Sequence, residues 1–352
     1  MTLVAAAVNL PTVHGAPLRP GDGVWLDAHA HAWIDPPAGV RDPHEMALRD
    51  EPLRRAALAD YARVARPRRA ALVDCQPAGA GRDARVLARL AAASGVTIVA
   101  TTGFHLARYY PHGRRPWQDD EGARRAFAAE LTDGMAELPG RRAGVIKAAD
   151  TGTAASGREG ADAPAWAAAL AARAETDALL LVHTERGAGA AELLEWLVDR
   201  GVPADRVFLC HLDKRPDAGL HTELASAGAL LGYDTFLRPA YDPGRTTWPL
   251  VRRVLDAGLA HALAFCLDLA SPAMWPSAAA AADSPGALGP AGLLTVVVPQ
   301  LRDHGAAVAD VDALLGGNLL RRASRAPMPS AAPTDHAATT AVAATHPNEE
   351  LP

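Results

Sequence analysis

Of the 35 lysines and arginines in this 352-residue chain, only Lys147 and Lys214 are lysines. A guanidinium stays protonated inside a protein, whereas a desolvated lysine amine can shed its proton. Lys147 ends the apolar run Gly144-Val145-Ile146-Lys147, a position that calls for amine chemistry rather than positive charge alone. Other polar residues end apolar runs in the same way. In Asp27-Ala28-His29-Ala30-His31 the two histidines are two residues apart. Alternate residues of a strand face the same way, so the two imidazoles project together. Such a pair suits Zn, Fe, Co or Mn. His183 in Leu181-Val182-His183-Thr184, His211 in Leu209-Cys210-His211-Leu212 and Asp268 in Phe265-Cys266-Leu267-Asp268 end three further runs. One such histidine is ordinarily a satisfied core residue. Six polar residues ending five strands together read as a metal centre.

Four neutral imidazoles do not balance two divalent cations, so anionic bridging ligands are required. Asp268 supplies one carboxylate. A cationic Lys147 would repel metal, but its amine carrying CO2 becomes a carbamate, a two-oxygen anion able to bridge two ions. Uncarboxylated Lys147 pairing with Asp268 beside a single metal is the alternative. Two ions about 3.5–4 Å apart would acidify a bridging water and polarise a substrate oxygen. Asp268 is the expected proton acceptor during attack.

The elements that must position these residues are eight short apolar runs: Val24–Trp33, Arg69–Cys75, Thr97–Phe104, Gly144–Ala148, Ala178–Thr184, Arg206–Leu212, Ala229–Tyr233 and Ala262–Leu269. Continuous rather than alternating apolar character marks strands buried on both faces. Amphipathic stretches such as Glu192–Leu197 and Leu250–Leu255 separate them. Eightfold strand–helix alternation predicts an α/β fold, a (β/α)8 TIM barrel, which typically takes about 250 residues. An open doubly wound sheet would need a Gly-rich phosphate turn after an early strand. Pro77–Asp83 has two glycines but not that spacing, and reads as a tight turn with Asp83 capping the next helix. The expected organisation is an N-terminal extension (1–20), one barrel (21–323) and a disordered Ala/Pro/Thr/Ser-rich tail (324–352). The long loops Thr235–Thr247 and Ala270–Pro290 fall on the face where barrels carry their active sites.

A net charge of −5 and 49% apolar residues point to a small-molecule substrate rather than nucleic acid or a membrane surface. Assembly as a homodimer is left open. The scattered Cys75, Cys210 and Cys266 read as buried thiols of a reduced, cytoplasmic protein. The sequence shows neither a signal peptide nor an 18-residue apolar span.

The chain resembles the phosphotriesterase family of the amidohydrolase superfamily from about Gly23 to Arg322. The matching features are the HxH motif, Pro77–Asp83, Thr101-Thr102-Gly103-Phe104, Gly144–Lys147, His183-Thr184-Glu185, His211-Leu212-Asp213, Tyr233-Asp234, Phe265–Leu269 and Leu314–Arg321 with Asn318. The resemblance implies a binuclear centre, with zinc the first expectation and Mn, Co or Fe the alternatives. One ion would take His29, His31 and Asp268, and the other His183 and His211. Carboxylated Lys147 and hydroxide would bridge them. Two departures stand out: Ala30 sits where many members have Glu, and His105 follows Phe104 where many lactonase-like members have Tyr.

Candidate substrate contacts are Trp33, His105, Tyr109, Tyr110, Arg238, Tyr241 and Trp275, with Arg238 placed to clamp a carboxylate or phosphate. Asp27, Asp74, Asp213 and Asp234 are candidates to orient ligands. The expected reaction is hydrolysis of a lactone or carboxylic ester, with catalytic roles for Lys147 and Asp268. A phosphoester or amide-type bond is the alternative. The rivals are a TatD-like nuclease, which expects Glu at the place of Lys147, and a catalytically silent ligand-binding barrel.

Overall fold

A computed structural model describes residues 9–324, apart from 45, 118, 156, 272, 273 and 275–288. All eight runs form strands: β1 Val24–Ala30, β2 Arg69–Asp74, β3 Thr97–Gly103, β4 Val145–Asp150, β5 Leu180–Thr184, β6 Val207–Cys210, β7 Leu230–Tyr233 and β8 Leu263–Phe265. They lie side by side in chain order, each paired in parallel with the next. The seam between β8 and β1 is held by the Asp268 N–H donating to the His29 carbonyl at 3.0 Å and the Leu267 N–H donating to Asp27 Oδ1 at 3.3 Å. The result is a nearly closed (β/α)8 barrel.

Seven helices follow β1 to β7 on the outside: α1 Glu51–Val64, α2 Ala84–Ser94, α3 Asp120–Thr132, α4 Ala163–Thr176, α5 Ala190–Asp199, α6 Ala218–Ser226 and α7 Thr247–Asp256. Asp50, Asp83, Asp119 and Asp217 cap four of them by accepting from first-turn amides, which satisfies donors the helix cannot. The short helices α8 Val298–Asp303, α9 Val308–Asp312 and α10 Asn318–Ala323 complete the wall. Asn318 at the head of α10 donates to the carbonyls of Ala260 and Leu263, at 2.8 and 2.7 Å, and so anchors the start of β8. Residues 9–20 cross the opposite end from the candidate site: Leu10 bridges Leu18, and the Val13 N–H donates to the Ile98 carbonyl at 2.9 Å.

Leu26, Ala28, Val73, Val99, Val145, Leu181, Phe208 and Leu230 belong to one buried apolar cluster together with all three cysteines. The thiols are unpaired and buried, as small core residues. Among the described residues no helix is long and apolar enough to cross a membrane.

β1, β2, β3, β6 and β8 stop short of the expected runs, at Ala30, Asp74, Gly103, Cys210 and Phe265. β6 stops at Cys210, because the next residue, His211 (φ 67°), adopts the left-handed region; Asp268 (φ 47°), three residues beyond the end of β8, adopts it too. A non-glycine residue there costs about 1–3 kcal/mol and persists only where its surroundings hold it. Both positions therefore leave strand geometry just where their side chains turn to the centre. Gly103 serves β3 differently: a Cβ there would lie 1.9 Å from the Lys147 carbonyl oxygen, so only glycine lets β3 close onto β4 beside Lys147.

Candidate metal centre

The six residues converge over one end of the barrel. His31 Nε2 lies 3.2 Å from Asp268 Oδ1, and His29 Nε2 lies 3.5 Å from that same oxygen. Lys147 Nζ is 3.5 Å from His29 Nε2. On the other side His211 Nε2 and His183 Nδ1 face one another at 2.9 Å, and the His29 and His211 rings are 4.8 Å apart. His211 Nδ1 donates to Asp234 Oδ2. In a neutral imidazole that leaves Nε2 as a lone pair directed inward.

This donor set fits divalent metal. Burial holds His29, His105 and His211 well below the usual histidine range, and the charge of Lys147 adds to it at His29 and His105, that of Lys214 at His211. His183 is pulled down to about 4, burial outweighing its contact with Glu185. Neutral imidazole is the state that ligates metal. Burial alone would raise the Asp268 carboxyl, but Arg238, His29 and His211 hold it well below the ordinary carboxylate range. Lys147 is fully buried. Among the described residues its side chain has His29 Nε2 as its polar partner, and no carboxylate lies within 4.0 Å of it. An uncompensated buried charge is costly, so this amine calls for a counter-charge.

Asp234 comes as close to His29 and His211 as a ligand would. Its oxygens are committed elsewhere, Oδ2 to His211 and Oδ1 to Arg238. It orients His211 rather than offering a free lone pair. The other candidate carboxylates hold backbone. Asp27 accepts from the His29 and Leu267 amides, Asp74 from Ala32, Trp33 and Gln76, and Asp213 from Asp234 and Thr235.

A cavity of about 220 Å³ opens above the cluster, lined by His29, His31, His183 and Asp268 together with His105, Tyr109, Lys214, Arg238 and Tyr241. One wall is cationic. Arg238 Nη1 donates to Asp268 Oδ2 at 2.7 Å, and Lys214 Nζ is 3.9 Å from that oxygen and 3.5 Å from Asp234 Oδ1. Both cations lie 4.8 Å from the centre of the Tyr241 ring, close enough for a cation–π contact. Arg238 precedes the short turn Pro239–Tyr241, which Tyr241 ends, and Lys214 ends another, Leu212–Lys214.

Sequence reasoning missed Lys214, although the signal that singled out Lys147 applied equally to it. In the structure the left-handed His211, followed by the tight turn Leu212–Lys214, brings position 214 back over the cavity. Trp33 is a correction. It is not among the cavity-lining residues and packs in the sheath core, because β1 ends at Ala30 and the chain turns outward. Tyr110 is fully buried, and its hydroxyl accepts from the His105 amide at 3.0 Å. Trp275 and most of Ala270–Pro290 lie outside the described residues, as do residues 325–352.

Comparison with known proteins agrees with this geometry. The model of the phosphotriesterase family matches residues 22–321. The phosphotriesterase homology protein of Escherichia coli (strain K12) is 26% identical over 240 residues, 68% of this chain and 78% of that protein. A phospho-furanose lactonase of Mycoplasmopsis synoviae (strain 53) is 27% identical over 215 residues, 56% of this chain and 59% of that protein's length. A solved lactonase from Listeria monocytogenes superposes with a TM-score of 0.73 at 18% identity, covering 90% of this chain and 98% of that one.

Proposed function

The chain belongs to the phosphotriesterase family and is a metal-dependent hydrolase; from that premise we propose that it opens a small lactone or carboxylic ester carrying an anionic group, phosphate foremost, over a binuclear centre. The observation that carries the reading is the cationic wall formed by Lys214 and Arg238 against Tyr241, in the same cavity as the metal-donor set. Two cations facing a wet pocket suit a dianion through charge-assisted hydrogen bonds. The name of the Mycoplasmopsis synoviae relative supports the same substrate class.

In this reading His29, His31 and Asp268 would hold one ion and His183 and His211 the other, with carboxylated Lys147 as the anionic ligand that both would share. Carboxylation would remove the uncompensated ammonium of the buried Lys147 and replace it with an anion that the metal ions would balance. Two divalent ions bound there, zinc the first candidate, supply Lewis acidity and a water acidified toward neutral pH. Asp268 takes the proton of the attacking water, and Arg238 at 2.7 Å keeps that carboxylate ionised and fixed. Lys214 and Arg238 hold the substrate's anionic group, and Tyr241 covers both side chains. Asp234 fixes the ring of His211. The nuclease rival falls with the family match across residues 22–321.

The test is a panel assayed with metal-loaded protein: lactones with and without a phosphate, aryl esters, phosphotriesters and amides. A phosphorylated lactone is expected to exceed its unphosphorylated counterpart in kcat/KM by roughly 100-fold, the scale of two charge-assisted contacts. Best turnover on an uncharged lactone or a phosphotriester would sink the anionic-substrate reading.

A further inference from the structure

The cavity has a second polar wall, built from the end of β3. His105 is buried and lines the cavity, and its ring lies 5.1 Å from that of His183. The residue is held from every side but one. Its backbone N–H donates to the Tyr110 hydroxyl at 3.0 Å. Its carbonyl accepts from Arg115 Nη2 at 3.0 Å, and Arg115 is itself paired with Asp162 at 2.7 Å. Its ring Nδ1 lies 2.7 Å from the Leu106 amide nitrogen, whose N–H donates into it. That last contact favours one tautomer, because a nitrogen that accepts from an amide carries a lone pair, which leaves the proton of a neutral ring on Nε2. The preceding Phe104 ties this segment to β4 through its N–H, which donates to the Lys147 carbonyl at 2.9 Å. The fold therefore fixes an imidazole beside the metal-donor cluster with one N–H left to give.

We propose that His105 Nε2–H is the hydrogen-bond donor to the carbonyl oxygen of the substrate as that oxygen becomes an oxyanion. The inference rests on the lactone or ester reading above and adds the group that meets the developing charge. The direction follows from electrostatics. The Asp268 carboxylate and the anion-holding pair Lys214 and Arg238 share one wall, fed by β6, β7 and β8. A second negative charge is repelled by the substrate's own anionic group, held on that wall. It develops toward the opposite wall, which β3 supplies, four strands from β7 in the sheet order. In the step, the water oxygen bonds to the carbonyl carbon and its proton passes to Asp268. The carbonyl π pair moves onto the oxygen facing His105. Collapse of the intermediate then breaks the bond to the ring oxygen, which takes up the proton. His105 keeps its own proton throughout, so its part is electrostatic.

His105→Phe removes the donor. His105→Gln is the conservative variant, since its side-chain amide reaches about as far as Nε2. With a substrate that the wild type turns over, His105→Phe is expected to lower kcat by about 100-fold or more, the usual cost of one oxyanion donor. KM and competitive inhibition by inorganic phosphate should stay within about threefold, and His105→Gln should recover at least tenfold in kcat. Unchanged kcat in the Phe variant, a loss carried wholly by KM, or a Gln variant no better than Phe would overturn the assignment. A readout independent of turnover is the 15N spectrum of the histidine side chains, in which His105 should show protonated Nε2 and bare Nδ1. The reverse pattern overturns the proposal whatever the kinetics, and it also decides the case if the Phe variant does not fold. A wild type inert on the whole panel defeats the hydrolase reading instead, and the nitrogen shifts tell the two failures apart.

Discussion

The chain's two lysines sit in one barrel, within reach of the same histidine cluster, yet face opposite surroundings. Lys147 projects from the middle of β4, fully buried, and among the described residues its polar partner is an imidazole nitrogen 3.5 Å away. Lys214 sits on a turn after β6, a little exposed, with Asp234 at 3.5 Å, Asp268 at 3.9 Å and the Tyr241 ring beneath it. Desolvation acts on both. The difference is the counter-charge: Lys214 has two carboxylates within 4.0 Å, and among the described residues Lys147 has none. One residue type thus serves two ends. Lys214 can remain a cation and attract anions, while the natural remedy for Lys147 is conversion to an anion. The lesson is that in this site the environment, not the side chain, assigns the charge.

The severest test of that contrast is Lys147→Ala. If Lys147 bridges two ions as a carbamate, its removal should lower kcat by about 1,000-fold or more, the several kcal/mol that a metal-centred Lewis acid supplies. Bound metal should fall from about two ions per chain, as read by elemental analysis after gel filtration. Added propionate should restore part of both, because a free carboxylate can occupy the space and supply two oxygens. Full activity in this variant without any additive would make the two lysines equivalent bystanders and end the comparison.

How much of this was legible in the sequence depends on whether backbone or turn placed the side chain. All eight strands were readable, because continuous apolar runs are unmistakable where both faces are buried. Lys147, His29 and His183 were readable with them, being strand residues whose direction follows from alternation. His211 and Asp268 were found by type, but their left-handed geometry was not, since nothing in Cys210-His211-Leu212 or Leu267-Asp268-Leu269 announces a positive φ in a non-glycine residue. Turn-borne groups were the hardest. Lys214 was passed over, and Trp33, read as a substrate contact, packs in the core. The tautomer of His105 depends on an amide only one residue away, yet it follows from a loop conformation that no periodicity encodes.

The second test addresses the other lysine. Lys214→Met keeps the stem and removes the charge. For a phosphorylated lactone KM should rise by about 10- to 100-fold, the worth of one charge-assisted contact in a partly buried site. Turnover of an uncharged ester and the metal content should change little. The wild type adds a pH signature. Burial, followed by the charge of Arg238, lowers the proton affinity of Lys214 below the ordinary lysine value. The cation is lost as pH rises through that lowered value. Affinity for the anionic substrate should therefore weaken on the alkaline side earlier than an unperturbed lysine would allow, and the Met variant should lack this limb. Equal losses on charged and uncharged substrates would show that Lys214 supports the fold rather than the anion.

The smallest effect is expected from the carboxylate that separates the two lysines. Asp234 faces Lys214 and Arg238 through Oδ1 and fixes His211 through Oδ2, whereas no such group faces Lys147. In Asp234→Asn the amide oxygen can still accept from His211 Nδ1, so the ring keeps its orientation but loses the basicity that an ionic partner lends it. Partners of this kind are worth about 10- to 100-fold in metal affinity, and retention of an acceptor puts this variant at the lower end. Chelator titration should show one of two ions leaving about tenfold more easily, with activity recovered at excess metal. Asp268 still faces both cations, so the affinity for inorganic phosphate should be kept or improved as one competing carboxylate disappears. Unchanged metal affinity together with weakened phosphate binding would reverse the roles, making Asp234 a support of the cationic wall rather than of His211, and the environments of the two lysines would then be separate designs instead of two sides of one centre.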